Sequence, residues 1–173
     1  MNYRDQLKNP ASLRYIDKLV EVVFDNPTDS DSIYLLIFDA DLNVAWRAAW
    51  SCEKISEKHV DWFNDVHFEE LVKLFVSTNH GGLQRGCLSI LNNLPLPNLI
   101  PVELINTCFD RMVSLKSPIA VQALSMKMLL RICKKEPDFV PELKAYLENI
   151  DAGSYSAGFN STRKNVLKTL NSR

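Results

Sequence analysis

The chain has 173 residues, of which 46% are hydrophobic and 24% are charged, and its formal net charge at pH 7 is −1. A chain of this length can fold around its own core without a metal ion or a disulfide bond. The composition is typical of a soluble domain, and no run of about 18 apolar residues could cross a bilayer. The opening stretch, MNYRDQLKNP, lacks the features of a signal or transit peptide, so we expect a cytoplasmic protein without membrane contacts.

Turn-forming stretches divide the chain into helical segments. Between these stretches, apolar residues recur three and four positions apart, which is the spacing of amphipathic helices. In chain order, the segments include SLRYIDKLVEVV, SIYLLIFDA, FEELVKLFV, VELINTCFDRMVSL and DFVPELKAYLENI. The stretch IYLLIF could also form a buried strand, but an isolated strand would have no partner in a sheet, so a helix is favoured.

A repeat of about 40 residues relates these segments. Its core is an apolar stripe at offsets 0, 4, 8 and 11, which lies on one side of a helix. Each strong copy follows another helix and a short turn, so the unit is a pair of helices, and such units stack into solenoids. The copies, weaker at the start and truncated at the end, are Ser12, Ile16, Val20 and Val23; Val44, Ala48, Cys52 and Ile55; Leu83, Cys87, Leu91 and Leu94; Val121, Ser125, Leu129 and Ile132; and Thr162, Val166 and Leu170.

The start of the second helix in the first strong copy resembles the pattern D-x-x-V-R-x-x-A of the HEAT and armadillo-like superfamily. Asp41, Val44 and Ala48 match this pattern, and the resemblance covers roughly residues 10 to 173. It implies an all-α fold, a right-handed α-α superhelix of about four helical pairs with an amino-terminal capping helix. It also implies a protein scaffold. The arginine that usually follows the valine is absent, and its place is taken by Ala45, Gln84 and Gln122.

We therefore predict a single helical-repeat domain over residues 1–173. Its approximate units are a cap over 10–26 and four helical pairs over 29–58, 66–95, 101–135 and 138–173.

Residues opposite the apolar stripe form the predicted partner-binding surface. In such an array the second helix of each pair lines the concave side, and offsets 2 and 6 lie opposite the stripe. Alternatively, the amino-terminal helix or another subunit covers the tryptophans at these offsets, and the basic residues are ordinary solvated surface. The candidate contact residues are Trp46, Trp50, Arg85, Lys127, Lys164 and Lys168.

Charge is distributed unevenly between the two helices of each pair. The predicted first helices contain twelve acidic and three basic residues, whereas the predicted second helices contain one acidic residue, Glu53, and eleven basic residues. A basic concave face with tryptophans would attract an anionic partner. We predict a non-enzymatic scaffold that binds a protein or another anionic partner through this face, and the oligomeric state is left open.

The alternative function is that of a nucleic-acid-binding protein or a HEAT-like DNA glycosylase of the alkylation-repair type. Such enzymes use tryptophans and a carboxylate in a basic groove, and Trp46, Trp50 and Arg85 are similar in kind. A carboxylate must lie close to the charge that it stabilises. Glu53 is the one acidic residue on the predicted surface, while Ser89 and Asn92 occupy the positions where a catalytic aspartate would be sought.

Metal and cofactor sites are not expected. The four cysteines, Cys52, Cys87, Cys108 and Cys133, are 35, 21 and 25 residues apart, so they form no close pair of the kind that metal and redox motifs need. We interpret them as small hydrophobic residues of the core. The three histidines show no metal-ligand spacing, and we predict no catalytic residue, metal or cofactor.

Overall fold

The computed structural model describes residues 2–9 and 12–172, so predictions that fall on Met1, Pro10, Ala11 and Arg173 lie outside the described residues. Within these ranges the chain contains ten α-helices and no β-strand. The helices are α1 (Tyr3–Lys8), α2 (Leu13–Asp25), α3 (Ser30–Leu35), α4 (Leu42–Lys58), α5 (Asp65–Ser77), α6 (Gly81–Asn93), α7 (Val102–Val113), α8 (Ile119–Lys135), α9 (Val140–Asn149) and α10 (Ala157–Asn171).

The helices form two compact units, Met1–Pro95 and Leu96–Arg173. In the first unit, α4 packs against α1, α2, α3 and α6, and α5 packs against α6. In the second unit, α8 packs against α7, α9 and α10, and α9 also contacts α10. A single domain over 1–173 stays a prediction.

The predicted helical pairs are present as α3–α4, α5–α6, α7–α8 and α9–α10, and the predicted cap contains α2. The stretch IYLLIF is helical, because α3 continues into a 3₁₀ turn over Leu36–Phe38. The all-α fold of repeated helical pairs is therefore confirmed. Helix α1 is an addition that the sequence pattern did not predict, because its two buried residues, Tyr3 and Leu7, are too few to define a stripe.

Side-chain caps start several of the helices at turn residues. The carboxylate of Asp41 accepts a hydrogen bond from the Asn43 backbone N–H at the start of α4. The side chain of His80 does the same for α6 and accepts from the Leu83 backbone N–H. These groups satisfy backbone donors that have no partner inside the helix. Asp41 of the superfamily pattern is thus a helix cap.

The apolar stripes form the core of the two units. Every stripe residue is buried except the first residue of the first and last copies, so the predicted seam is confirmed. Ser12 is exposed and caps α2, and Thr162 is half-buried. In the first unit, small residues allow α4 and α6 to approach closely. A Cβ atom built on Gly86 would lie only 2.6 Å from the Cβ atom of Ala49.

In two copies, the residue that follows the first stripe residue forms a hydrogen bond to the end of the preceding helix. The side-chain amide of Gln84 donates a 2.8 Å hydrogen bond to the carbonyl of Thr78, which caps α5. Gln122 donates a 2.8 Å bond to the carbonyl of Ser114, which caps α7. These carbonyls have no acceptor role inside a helix. Glutamine therefore donates to them at the place where the superfamily pattern has arginine, and the Ser114 carbonyl also accepts from the Ser117 backbone N–H.

We expect Gln122→Ala to lower the free energy of unfolding by about 1–2 kcal/mol, since it removes a hydrogen bond and the packing of a buried side chain, while the Ser114 carbonyl keeps the Ser117 backbone N–H as its other donor. Urea unfolding measures the change. Asn106→Ala, on the exposed side of α7, is the matched control and should stay within about 0.5 kcal/mol of the unsubstituted protein. Equal unfolding midpoints for the two variants would contradict this role of Gln122.

Candidate partner-binding surface

The two predicted tryptophans lie together on α4. Trp46 and Trp50 are one helical turn apart, and their rings stack with centroids 5.9 Å apart and planes inclined by 15°. Both side chains are half-buried. The pair is therefore a preformed aromatic surface that keeps part of its area in contact with solvent.

Arg47 fixes α1 beside this pair. Its Nη1 atom donates hydrogen bonds of 2.7 and 2.9 Å to the carbonyls of Leu7 and Lys8, at the end of α1. Its guanidinium carbon also lies 5.4 Å from the ring centroid of Trp46. With α1 held in this way, both indoles remain partly exposed, so the amino-terminal helix does not seal them.

Arg85 is exposed on α6 and forms an ion pair with Glu53 of α4. The distance from Arg85 Nη2 to Glu53 Oε2 is 3.4 Å, and the side chain of Glu53 is 16% exposed. An ion pair whose arginine is open to solvent contributes roughly 0–1 kcal/mol. The arginine predicted for the binding surface is thus engaged by the carboxylate that the glycosylase alternative requires.

The prediction that the polar residues after Arg85 face outward is wrong for Ser89, which is 7% exposed. Asn92 is half-buried, and its amide donates to the carbonyl of Leu88. The physical reason is that α6 packs against both α4 and α5, so more of its circumference is covered than a single stripe suggests.

The predicted lysines of the second unit are exposed. Lys127 lies on α8, and Lys164 and Lys168 lie one turn apart on α10. None of the three forms an ion pair with another residue in the part of the chain that the structure describes. They are therefore solvated positive charges.

Other basic residues of the second helices have structural roles that the charge count did not reveal. Arg163 donates to the carbonyl of Leu147 near the end of α9, at the same repeat position as Gln84 and Gln122. The ammonium group of Lys135 donates to the carbonyl of Pro97. Together with Arg47, these residues satisfy backbone oxygens. Fewer than the eleven basic side chains counted are therefore free to reach a partner.

The four cysteines are free and buried, which confirms their interpretation as core residues. Burial raises the pKa of the Cys87 thiol to about 12 and raises the pKa of Cys52 and Cys108 as well. Within residues 2–9 and 12–172, no group of three or more His, Cys, Asp or Glu side chains is placed to hold a metal ion. No helix in these ranges is both long enough and apolar enough to cross a membrane.

We expect the native protein to resist thiol reagents at neutral pH, whereas the unfolded chain should react at all four cysteines. The raised thiol pKa values also make the stability of the folded state depend on pH. They favour the folded state fully below the unfolded thiol pKa of about 8.5, and this contribution declines as pH rises above it. Labelling with a chromogenic disulfide in buffer and in urea measures both states. Rapid labelling of the native protein would contradict the buried positions.

Comparison with known protein families agrees with the geometry. A family model described as HEAT repeat domain matches residues 3–170, which covers both compact units. No curated protein matches the chain, and no solved structure matches it. The repeated helical pairs, their buried stripes and this match over nearly the whole sequence show that the chain belongs to the HEAT repeat domain family.

Proposed function

We propose that this HEAT repeat domain is a non-enzymatic, cytoplasmic scaffold that binds a protein partner through solvent-accessible residues of its second helices. The contact residues are Trp46, Trp50 and Arg85 in the first unit, and Lys127, Lys164 and Lys168 in the second. Each unit contributes its own patch, and the two patches are tested separately.

The stacked indoles of Trp46 and Trp50 carry the proposal. Tryptophan is enriched among the residues that dominate binding energy at protein interfaces, because it combines a large apolar area with a polar N–H group. Stacking and the neighbouring Arg47 hold the rings in place before a partner arrives. A preorganised aromatic pair loses little conformational entropy on binding.

The exposed lysines support an acidic partner. Lys127, Lys164 and Lys168 have no counter-charge within hydrogen-bonding reach among the described residues. Such charges accelerate the encounter with a protein of opposite sign, and salt weakens the effect. The ion pair between Glu53 and Arg85 gives no support to catalysis, since a glycosylase would need that carboxylate for the sugar.

Affinity isolation from native cell extract tests the proposal. The unsubstituted chain, Trp50→Ala and the control Tyr146→Ala are compared after nuclease treatment, and Tyr146 is a partly exposed aromatic residue of α9. A protein that is recovered with the chain and with the control, and lost with Trp50→Ala, is the expected result. An unchanged set of proteins, or retention of nucleic acid alone, would overturn the proposal.

Charge reversal tests the second patch. We expect Lys164→Glu combined with Lys168→Glu to weaken binding of the same protein, with most of the loss at low salt. The matched control, Lys116→Glu combined with Lys144→Glu, makes the same change in net charge on other elements of the second unit. Equal weakening by both pairs would mean that net charge alone matters.

A further inference from the structure

An apolar groove lies in the first unit, away from the second helices. Leu35 and Phe38, at and after the end of α3, form one side, and Glu70, Lys73, Leu74 and Ser77 of α5 form the other. Its volume is about 320 Å³, at the lower end of the range for ligand sites. A volume of this size accommodates one or two side chains of a partner.

The exposed apolar residues of this groove are unusual for a free surface. Leu35 is 67% exposed and Phe38 is 44% exposed. Scattered exposed apolar residues need no explanation, whereas Leu35 and Phe38 line one groove together, as apolar residues do at interaction sites.

The groove is preformed because a buried tyrosine joins its two sides. The hydroxyl of Tyr34 donates a 2.8 Å hydrogen bond to Glu70 Oε2, and its ring lies edge-on to Phe38 with centroids 5.6 Å apart. Burial and the Glu70 carboxylate raise the pKa of the Tyr34 phenol, so the hydroxyl stays a donor. Little rearrangement is needed when a side chain enters.

One acidic residue lines the groove, and two more lie one helical turn from its lining residues on α3 and α5. Glu70 lines it, and Glu69, its exposed neighbour on α5, lies one turn from the lining residue Lys73. Asp31 is exposed and lies four residues before Leu35 on α3. Three carboxylates against the single ammonium group of Lys73 favour a cationic partner.

We propose that this groove binds a short protein segment in which one or two large apolar side chains are flanked by lysine or arginine. The apolar side chains occupy the space between Leu35, Phe38 and Leu74, and the flanking cations face the carboxylates of α3 and α5. This surface has the opposite charge preference to the exposed lysines on α8 and α10, so the scaffold would present two surfaces to two kinds of partner.

The probe is a panel of fluorescein-labelled dodecapeptides with several different background sequences. Each carries Leu, Phe or Ala at two central positions and Lys, Ala or Glu at the flanking positions. We expect peptides with Leu or Phe beside Lys to bind at least about tenfold more tightly than those with Ala or Glu, and added salt to weaken them. Dissociation constants above about 1 mM for every peptide, or tighter binding of the peptides that carry Glu, would overturn the proposal.

Substitutions in the protein locate the peptide. Leu35→Gln should weaken binding at least about fivefold, whereas Leu13→Gln, at an exposed position of α2, is the matched control and should change nothing. Lys73→Glu should strengthen the preference of the groove for peptides with flanking Lys residues, and Glu69→Lys should reduce this preference. Peptide binding that is unaffected by Leu35→Gln, or affected equally by Leu13→Gln, would overturn the assignment.

Two further controls distinguish peptide binding in the groove from binding at the tryptophans and from self-association. Trp50→Ala should leave peptide binding intact, so failure of the groove and failure of the second-helix surface are distinguishable. Sedimentation velocity measures self-association of the free protein, and we expect none that depends on Leu35. If the unsubstituted protein self-associates and Leu35→Gln abolishes this, a second copy of the chain occupies the groove and the proposal is overturned.

Discussion

Gly86→Leu is expected to lower the free energy of unfolding by about 3 kcal/mol or more. A Cβ atom at this position would lie 2.6 Å from Ala49 Cβ and 3.5 Å from the Ala49 carbonyl carbon, so the leucine forces α4 and α6 apart. The intrinsic preference of leucine for helices offsets roughly 1 kcal/mol at most. Urea unfolding followed by circular dichroism measures the difference.

Two variants test whether the close approach is the cause. Gly158→Ala in α10 brings a Cβ atom 3.5 Å from Ile119 Cγ2, which is ordinary van der Waals contact. It should therefore be neutral or stabilising by up to about 1 kcal/mol. Ala49→Gly should recover stability in a Gly86→Ala background, with a coupling energy of about 0.5–3 kcal/mol. Unfolding of Gly86→Leu at the midpoint of the unsubstituted protein would show that the helices can separate without cost.

Phe159→Ala is expected to lower the free energy of unfolding by about 3–5 kcal/mol. Phe159 is fully buried in the second unit and stacks on Tyr155, with ring centroids 4.1 Å apart. The hydroxyl of Tyr155 donates a 2.6 Å hydrogen bond to the carbonyl of Val113 at the end of α7. Loss of the phenyl ring leaves a cavity and removes the surface that positions Tyr155.

Tyr146→Ala is the matched aromatic control for this cavity. Tyr146 is 42% exposed, and its ring lies 5.0 Å from that of Phe109. Truncation should cost about 1 kcal/mol, because much of this ring is already hydrated. Thermal or urea unfolding that ranks Tyr146→Ala equal to Phe159→Ala would contradict the position of Phe159 in the core.

The sequence was sufficient to predict the helical pairs and their buried seams. Residues such as Val44, Leu83 and Val121 start stripes that repeat with the helical period, and this period is a property of local sequence. Helix α1 was missed because distant residues fix it. Arg47 binds its last carbonyls, and Tyr3 donates to Asp29, 26 residues away.

The candidate surface was predictable only in part. Offsets place Trp46 and Trp50 on one side of α4, but they do not show which neighbouring helix lies beside that side. The ion pair of Arg85 with Glu53 and the burial of Ser89 both depend on the packing of α6 between two helices. The repeated glutamines Gln84 and Gln122 were a signal, since the same residue follows the first stripe position in two copies.

The apolar groove escaped sequence analysis for a different reason. IYLLIF reads as a continuous apolar stretch, which suggests complete burial. In the structure, α3 ends at Leu35 and a 3₁₀ turn follows, so Leu35 and Phe38 are exposed whereas Ile33, Tyr34 and Ile37 are buried. The change of helical period within six residues is not visible in composition.

Covalent footprinting of the scaffold with its captured protein partner tests the central claim most directly. Lysine acetylation and tryptophan oxidation are measured by mass spectrometry with and without the partner. We predict protection of Lys127, Lys164 and Lys168 and of Trp46 and Trp50, with unchanged modification of the exposed lysines Lys18 and Lys116. Protection of Lys18 and Lys116 instead, or an identical pattern in both states, would contradict binding through the second helices.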